Sequence, residues 1–233
     1  MSKCESCIVR RLSPLNAWNK DEIIRISKCK KNIKINKGEK VFREGEILKG
    51  IYCVQDGFGR LSKLCENGKE QIIRFIVKGS LIGQRSLISD EPTNLSATAS
   101  EDMFVCFIPK DEILYDLMQN PKFNKSMFKE LAENLKNSDN FILDVTNKSL
   151  KQRFSEALLY LQTVFGSDQE GMIDVSLSRS DYANFLGTRT ESLIRIISKL
   201  KKENIISTKG KKIKIENYNL LKALISDWIL KAW

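Results

Sequence analysis

The sequence contains no histidine. That excludes an imidazole base, a Ser-His-Asp triad, and a haem or zinc held by histidine. Only four of the 233 residues are proline and 42% are apolar, which fits a folded chain and not a disordered one. No stretch approaches the roughly 20 apolar residues a membrane helix needs. The opening residues, Met1-Ser2-Lys3-Cys4-Glu5-Ser6-Cys7, lack the apolar core of a signal peptide. No membrane partner is expected, and the expected location is the cytoplasm, where thiols stay reduced. A Gly-rich phosphate loop and a nucleophile–base pair are also missing, so the chain is not expected to be an enzyme.

What is present is thiol and positive charge. Six cysteines in a reducing compartment suggest metal, redox chemistry or packing before they suggest disulfides. The net charge is +10. From Arg195 to Lys214, eight basic residues stand against Glu203 alone, a surface suited to phosphates. A second basic run, Arg25 to Lys40, reads as solvated strand edges.

From Ile33 to Ile108, short apolar runs alternate with Gly38, Gly45, Gly57, Gly59, Gly68, Gly79 and Gly83, the pattern of a β sandwich or barrel. Glu66-Asn67-Gly68-Lys69 carries a hairpin signal. After Pro121 the period changes. Phe123, Met127, Leu131, Leu135, Ile142 and Val145 recur at helical spacing, predicting one long amphipathic helix that lies on its own β domain or forms a dimer seam. The dimer is preferred, because two-fold DNA sites are commonly read by two-fold proteins. Leu150 to Phe165 predicts another helix, stopped by Gly166. The expected division is 1–120 for an N-terminal segment and sensory β domain, 121–147 for the dimerisation helix, and 148–233 for a DNA-binding domain. Trp228-Ile229-Leu230-Lys231-Ala232-Trp233 reads as packing on that last domain.

Ser178-Arg179-Ser180-Asp181 resembles a capping box, opening a helix that stops at Gly187. A second helix follows within three residues, with Leu193, Ile197 and Leu200 on one face, and then a basic hairpin around Lys209-Gly210-Lys211. Two short helices joined by a tight glycine turn predict a helix-turn-helix whose second helix enters the major groove of double-stranded DNA. Glu191 and Arg195 share a face and suit cytosine N4 and guanine O6/N7. The same pair also reads as a surface ion pair, and Thr188-Arg189-Thr190-Glu191 as a local capping box. Arg179, Ser180, Thr190, Ser192, Lys199, Lys209 and Lys211 are candidates for phosphate contacts.

Over nearly its whole length the chain resembles the cyclic-AMP receptor protein and FNR family of bacterial regulators. The resemblance rests on Asp181-Tyr-Ala-Asn-Phe-Leu-Gly187, Glu191-Ser-Leu-Ile-Arg195 and the Lys209–Lys211 wing. In the β domain it rests on Lys37-Gly38-Glu39, Glu44-Gly45-Glu46, Gly79-Ser80-Leu81-Ile82-Gly83 and Ala97-Thr98-Ala99. It implies an α+β chain with a cyclic-nucleotide-binding-like β-roll (jelly-roll), a long dimer helix and a winged helix-turn-helix. It also implies a homodimer that binds a palindrome and recruits or blocks RNA polymerase. The implied effector positions are Gly83, Gln84, Arg85, Ser86, Asn94 and Ser96. Cyclic-nucleotide members carry glutamate after the glycine and an arginine–serine pair after the proline, where this chain has Gln84 and Thr93-Asn94-Leu95-Ser96. A cyclic phosphate would lose its bidentate arginine, so cyclic AMP is disfavoured.

The FNR branch is the nearer likeness. Cys4, Cys7 and Cys106 match three of its four iron–sulfur ligands, and the fourth would fall at Ser13. The readings left open are an iron–sulfur cluster, a Cys4–Cys7 dithiol or another metal, and no cofactor. Cys29 substitutes only if the N-terminal segment folds differently. Cys53 and Cys65 read as core thiols in strands. The family's helix cap is replaced by Arg189, leaving Thr188 or Thr190 to cap, and Ile194 replaces the serine before the arginine. A reading from another class is a ligand- or redox-sensing module acting through protein–protein contacts.

Overall fold

The computed structural model describes residues 4, 7–66 and 68–225. The apolar segment Trp228–Trp233 and Asn67 of the hairpin signal lie outside the described residues. The chain divides into two compact units, Met1–Asn137 and Ser138–Trp233. Both are α+β in content, the first built on antiparallel sheets and the second mainly on helices.

Unit 1 contains two four-stranded antiparallel sheets. One has the order β1 (Lys31–Ile35), β8 (Met103–Pro109), β3 (Gly50–Asp56) and β6 (Leu81–Ile82). In the other the order is β2 (Lys40–Phe42), β7 (Ser96–Ala99), β4 (Gly59–Leu64) and β5 (Glu70–Ile76). Successive side chains of a strand point to opposite faces, and β3 and β8 use both. Val54 lies opposite Val105, and these two join Phe42, Leu61, Ile82 and Met103 in one core. One residue away, Cys53 lies opposite Cys106, and these two face a second core with Leu15, Trp18, Ile26 and Phe123.

The cover of that second core is the N-terminal segment. It runs through 3-10 turns Val9–Leu12 and Pro14–Ala17 into helix α1 (Lys20–Cys29), started by an Asn19–Glu22 capping box. Glu22 also accepts a 2.8 Å bond from Asn120. Gly79, in the left-handed region at φ 91°, passes so near the first turn that a Cβ there would lie 2.8 Å from Leu12. The basic run is a strand edge only in part. Lys31 and Lys34 are on edge strand β1, but Arg25 is on α1, pairing with Glu112 at 2.8 Å and with Asp116, both on helix α3 (Lys110–Gln119). Cys65 corrects another expectation. It sits in the exposed β4–β5 turn and is not a core thiol.

Helix α4 spans Pro121–Asn147, and the division between units falls inside it. Its first turns bury Phe123 and Met127, with Phe123 5.6 Å from the Trp18 ring. Farther along, Leu135, Ile142 and Val145 are exposed. In unit 2, helix α5 (Leu150–Phe165) starts at a Ser149–Gln152 capping box and ends at Gly166. Helices α6 (Arg179–Leu186) and α7 (Thr190–Lys202) follow, then the hairpin β9 (Ile206–Lys209) and β10 (Lys212–Ile215), and helix α8 (Tyr218–Ala223). Phe154 and Tyr182 meet edge to face at 5.9 Å in the core of this unit.

Candidate nucleic-acid interface and candidate metal centre

The helix-turn-helix is built from complete local signals. Ser178 and Asp181 form a reciprocal capping box that satisfies the start of α6. Gly187 stops the helix at φ 63°, a left-handed position suited to glycine. Leu193, Ile197 and Leu200 bury one face of α7, which leaves Glu191, Ile194, Arg195 and Lys199 exposed on the other. Arg195 donates from Nη2 to Ser192 Oγ at 3.3 Å, and not to Glu191.

The start of α7 corrects the capping expectation. Its N-cap is Arg189, no side chain caps it, and neither Thr188 nor Thr190 takes the role. Arg189, two residues after Gly187, is extended where the chain enters α7, and its side chain has no short acceptor to reach back. The first-turn N–H groups are therefore not satisfied by any side chain, a favourable end for an anion. Glu191, in turn, is not held in a capping box.

The basic hairpin is pinned and not loose. Arg179 donates from its guanidinium to the carbonyls of Gly210 and Lys211, each at 3.3 Å, so this expected phosphate contact holds the wing in place. Lys209 pairs with Glu170 at 2.7 Å. Lys211 and Ser180 are exposed.

The six effector positions have different surroundings. Gly83 begins helix α2 (Gln84–Ser89) at φ 93°. Gln84 is buried and donates to Glu130 Oε1 at 2.9 Å, and Ser86 is also buried. Arg85 and Asn94 are exposed, while Ser96 Oγ accepts from the Glu44 N–H at 3.0 Å. Glu130 is raised to about 7, first by desolvation, with Glu133 adding and Arg74 opposing.

A cleft does exist on the other side of the β3–β8 pair. It is narrow and open to solvent, and is lined by Cys4, Cys7, Cys53 and Cys106 together with Arg10 and Lys30. The three expected ligands are therefore brought together. Cys4 and Cys106 are buried and Cys7 is half-buried. Burial pushes Cys53 and Cys106 up to about 12, and Lys30 opposes this at Cys106. Among the described residues no three His, Cys, Asp or Glu side chains are gathered tightly enough for a single metal ion. A cubane keeps its four thiolates farther apart than one ion does, so this donor set fits a cluster better than a mononuclear site. Arg10 donates to the Cys4 carbonyl at 3.4 Å and fixes the segment that carries the first two thiols.

Residues 32–120 match the cyclic nucleotide-binding domain, and residues 152–224 match the Crp-like helix-turn-helix domain. The chain is 31% identical over 223 residues to the fumarate and nitrate reduction regulatory protein of Vibrio cholerae, covering 92% of this chain and 87% of that one. The chain belongs to the CRP/FNR family of transcriptional regulators. It is 29% identical over 229 residues to the Escherichia coli protein of the same name, covering 95% of this chain and 89% of that one. The crystal structure of FixK2 from Bradyrhizobium japonicum has the same fold, with a TM-score of 0.76 at 24% identity over 84% of this chain and 98% of that one. The chain is thus a DNA-binding regulator with the family's β-roll and winged helix-turn-helix. Its described helices include none long and apolar enough to cross a membrane.

Proposed function

We propose that this cytoplasmic regulator works as a homodimer on a palindromic operator and responds to a redox, gas or small-molecule signal, not to cyclic AMP. Residues 1–120 would carry the sensor, 121–147 the dimer helix and 148–233 the DNA-binding domain. The exposed polar face of α7 carries this reading, because it presents Glu191 and Arg195 unpaired with each other beside a pinned basic wing. Arg195 and Glu191 read G·C edges. Ser180, Thr188, Arg189, Thr190, Ser192, Lys199 and Lys211 face phosphates, with Lys209 once it leaves Glu170. Arg179 positions the wing. The exposed apolar stripe of α4 at Leu135, Ile142 and Val145 supports pairing with a second copy. RNA polymerase is the partner that the bound dimer would recruit or block.

The loss of a bidentate phosphate ligand, with Gln84 turned to Glu130, supports a signal other than a cyclic nucleotide. The donor set at Cys4, Cys7 and Cys106 supports an iron–sulfur cluster, which when bound supplies chemistry sensitive to oxygen or nitric oxide. The chain's part is to hold the thiols in one largely apolar cleft and to set Arg10 and Lys30 beside them.

The test is selection from a randomised DNA pool, followed by binding at several salt concentrations. Enrichment of a palindrome bound by a dimer, with affinity falling steeply as salt rises, is the expected result. Failure to enrich any sequence would overturn the reading.

A further inference from the structure

We propose that Cys53, on β3, is the fourth thiolate of the cysteine cleft, completing with Cys4, Cys7 and Cys106 the donor set for an iron–sulfur cubane. This rests on the reading of the cleft as a cluster site, and supplies the ligand that the N-terminal segment lacks at Ser13.

Three observations carry it. First, the β3–β8 register sets Cys53 directly opposite Cys106, and strand alternation turns both toward the N-terminal segment and not into the inter-sheet core. Second, the Ser13 side chain lies near enough to the Cys53 thiol to oppose its upward shift, while its Oγ donates to the Arg10 carbonyl at 3.0 Å. The position where the family's fourth thiol falls thus lies beside a thiol of β3. Third, the two remaining cysteines do not meet the requirement. Cys29 does not line the cleft and donates its thiol to the Ile26 carbonyl at 3.5 Å, and Cys65 is exposed in the β4–β5 turn.

The charges are consistent with four thiolates. Each thiol releases its proton to solvent on binding iron, and two ferrous ions, two ferric ions and four sulfides, all from outside the protein, make the cubane with no further electron transfer. Four thiolates leave a cubane anionic, and Arg10 and Lys30 line the same cleft.

The experiment is anaerobic reconstitution of the full-length chain with equal amounts of ferrous and ferric iron and with sulfide, read by iron and sulfide content, EPR after reduction, and Mössbauer spectroscopy. The wild type should hold about four iron and four sulfide per chain, with Mössbauer parameters of all-thiolate ligation. C53S should lose the cluster or keep it with one distinct iron site, while C29S and C65S match the wild type. Cys53→Val offers the buried position an apolar side chain without a donor. It should fold as the metal-free wild type does by circular dichroism, yet hold no four-iron cluster. A Cys53 variant with the wild-type iron content and spectrum overturns the proposal, as does a wild-type spectrum with one oxygen-ligated iron. Loss of the cluster in C29S alone would assign the fourth ligand to Cys29. A wild type that takes up no iron overturns the cluster reading and this inference together, whereas the other three failures leave the cluster reading standing.

Discussion

The two units set their distinctive side chains in opposite surroundings. Unit 2 holds the cations of α7 and the hairpin at the surface, some of them paired with carboxylates such as Glu170, where salt screens them. Unit 1 holds Cys53 and Cys106 against an apolar core, where burial pushes both up to about 12. A site facing a polyanion gains from repetition and tolerates small displacements. The proposed four-thiol site has one geometry and would lose it with any one of them. Changes in unit 1 should therefore act on stability and, on the proposed reading, on cluster content, and changes in unit 2 on affinity with the fold intact.

Phe123→Ala sharpens this contrast most. Phe123 is fully buried where α4, the Trp18 ring and the thiol-bearing core meet. The substitution should destabilise unit 1 by about 3–5 kcal/mol in urea unfolding. A loss below about 1 kcal/mol would mean that the N-terminal cover packs far more loosely than the contact with Trp18 implies.

Arg195→Ala should do the reverse. Unfolding should be unchanged, because the side chain is exposed and, among the described residues, bonds within its own helix, to Ser192. Specificity should fall at one base pair by about 1–3 kcal/mol, measured by competition between single-substitution operators. Equal loss on every operator would make Arg195 a phosphate contact and remove the base readout.

The difference between the units also explains what could be read in the sequence. In unit 2 each element announces itself within a few residues. Ser178 and Asp181 start α6, Gly187 stops it, and Lys209–Lys211 turn the wing. The exception is the start of α7, where two threonines flank the true N-cap and neither is at the right position. In unit 1 the β-roll and the long helix were legible from glycine spacing and helical period. The thiol cleft was legible only in part. Cys4, Cys7 and Cys106 follow from the family resemblance, but Cys53 lies in a strand buried on both faces, so periodicity does not reveal which way its thiol points. Only the register against β8 decides that. The surroundings of the effector positions were equally hard to read, since nothing local to Gln84 shows that it turns to Glu130, forty-six residues away.

Glu130→Gln tests unit 1 for a buried charge. Desolvation raises Glu130 from 4.5 to about 7, with Arg74 opposing and Glu133 adding. The folded chain therefore holds more protons than the unfolded one between those values. Its contribution is fully present below pH 4.5 and is lost as pH rises through 7. The variant should be more stable than the wild type by about 1–2 kcal/mol at pH 8, and the gap should close toward pH 5. A gap independent of pH would place Glu130 in contact with water.

Lys211→Ala should have the smallest effect of the four and bears most directly on the wet half of the comparison. Lys211 is exposed beside Gly210, and its own carbonyl accepts from Arg179, so the backbone of the wing stays pinned when the side chain is removed. Binding should weaken alike on specific and non-specific DNA, and the slope of log affinity against log salt should fall by about one. An unchanged slope would mean that the wing does not reach the phosphates. A loss confined to the specific operator would mean that it reads bases, and the division between a specifying helix and a positioning hairpin would have to be redrawn.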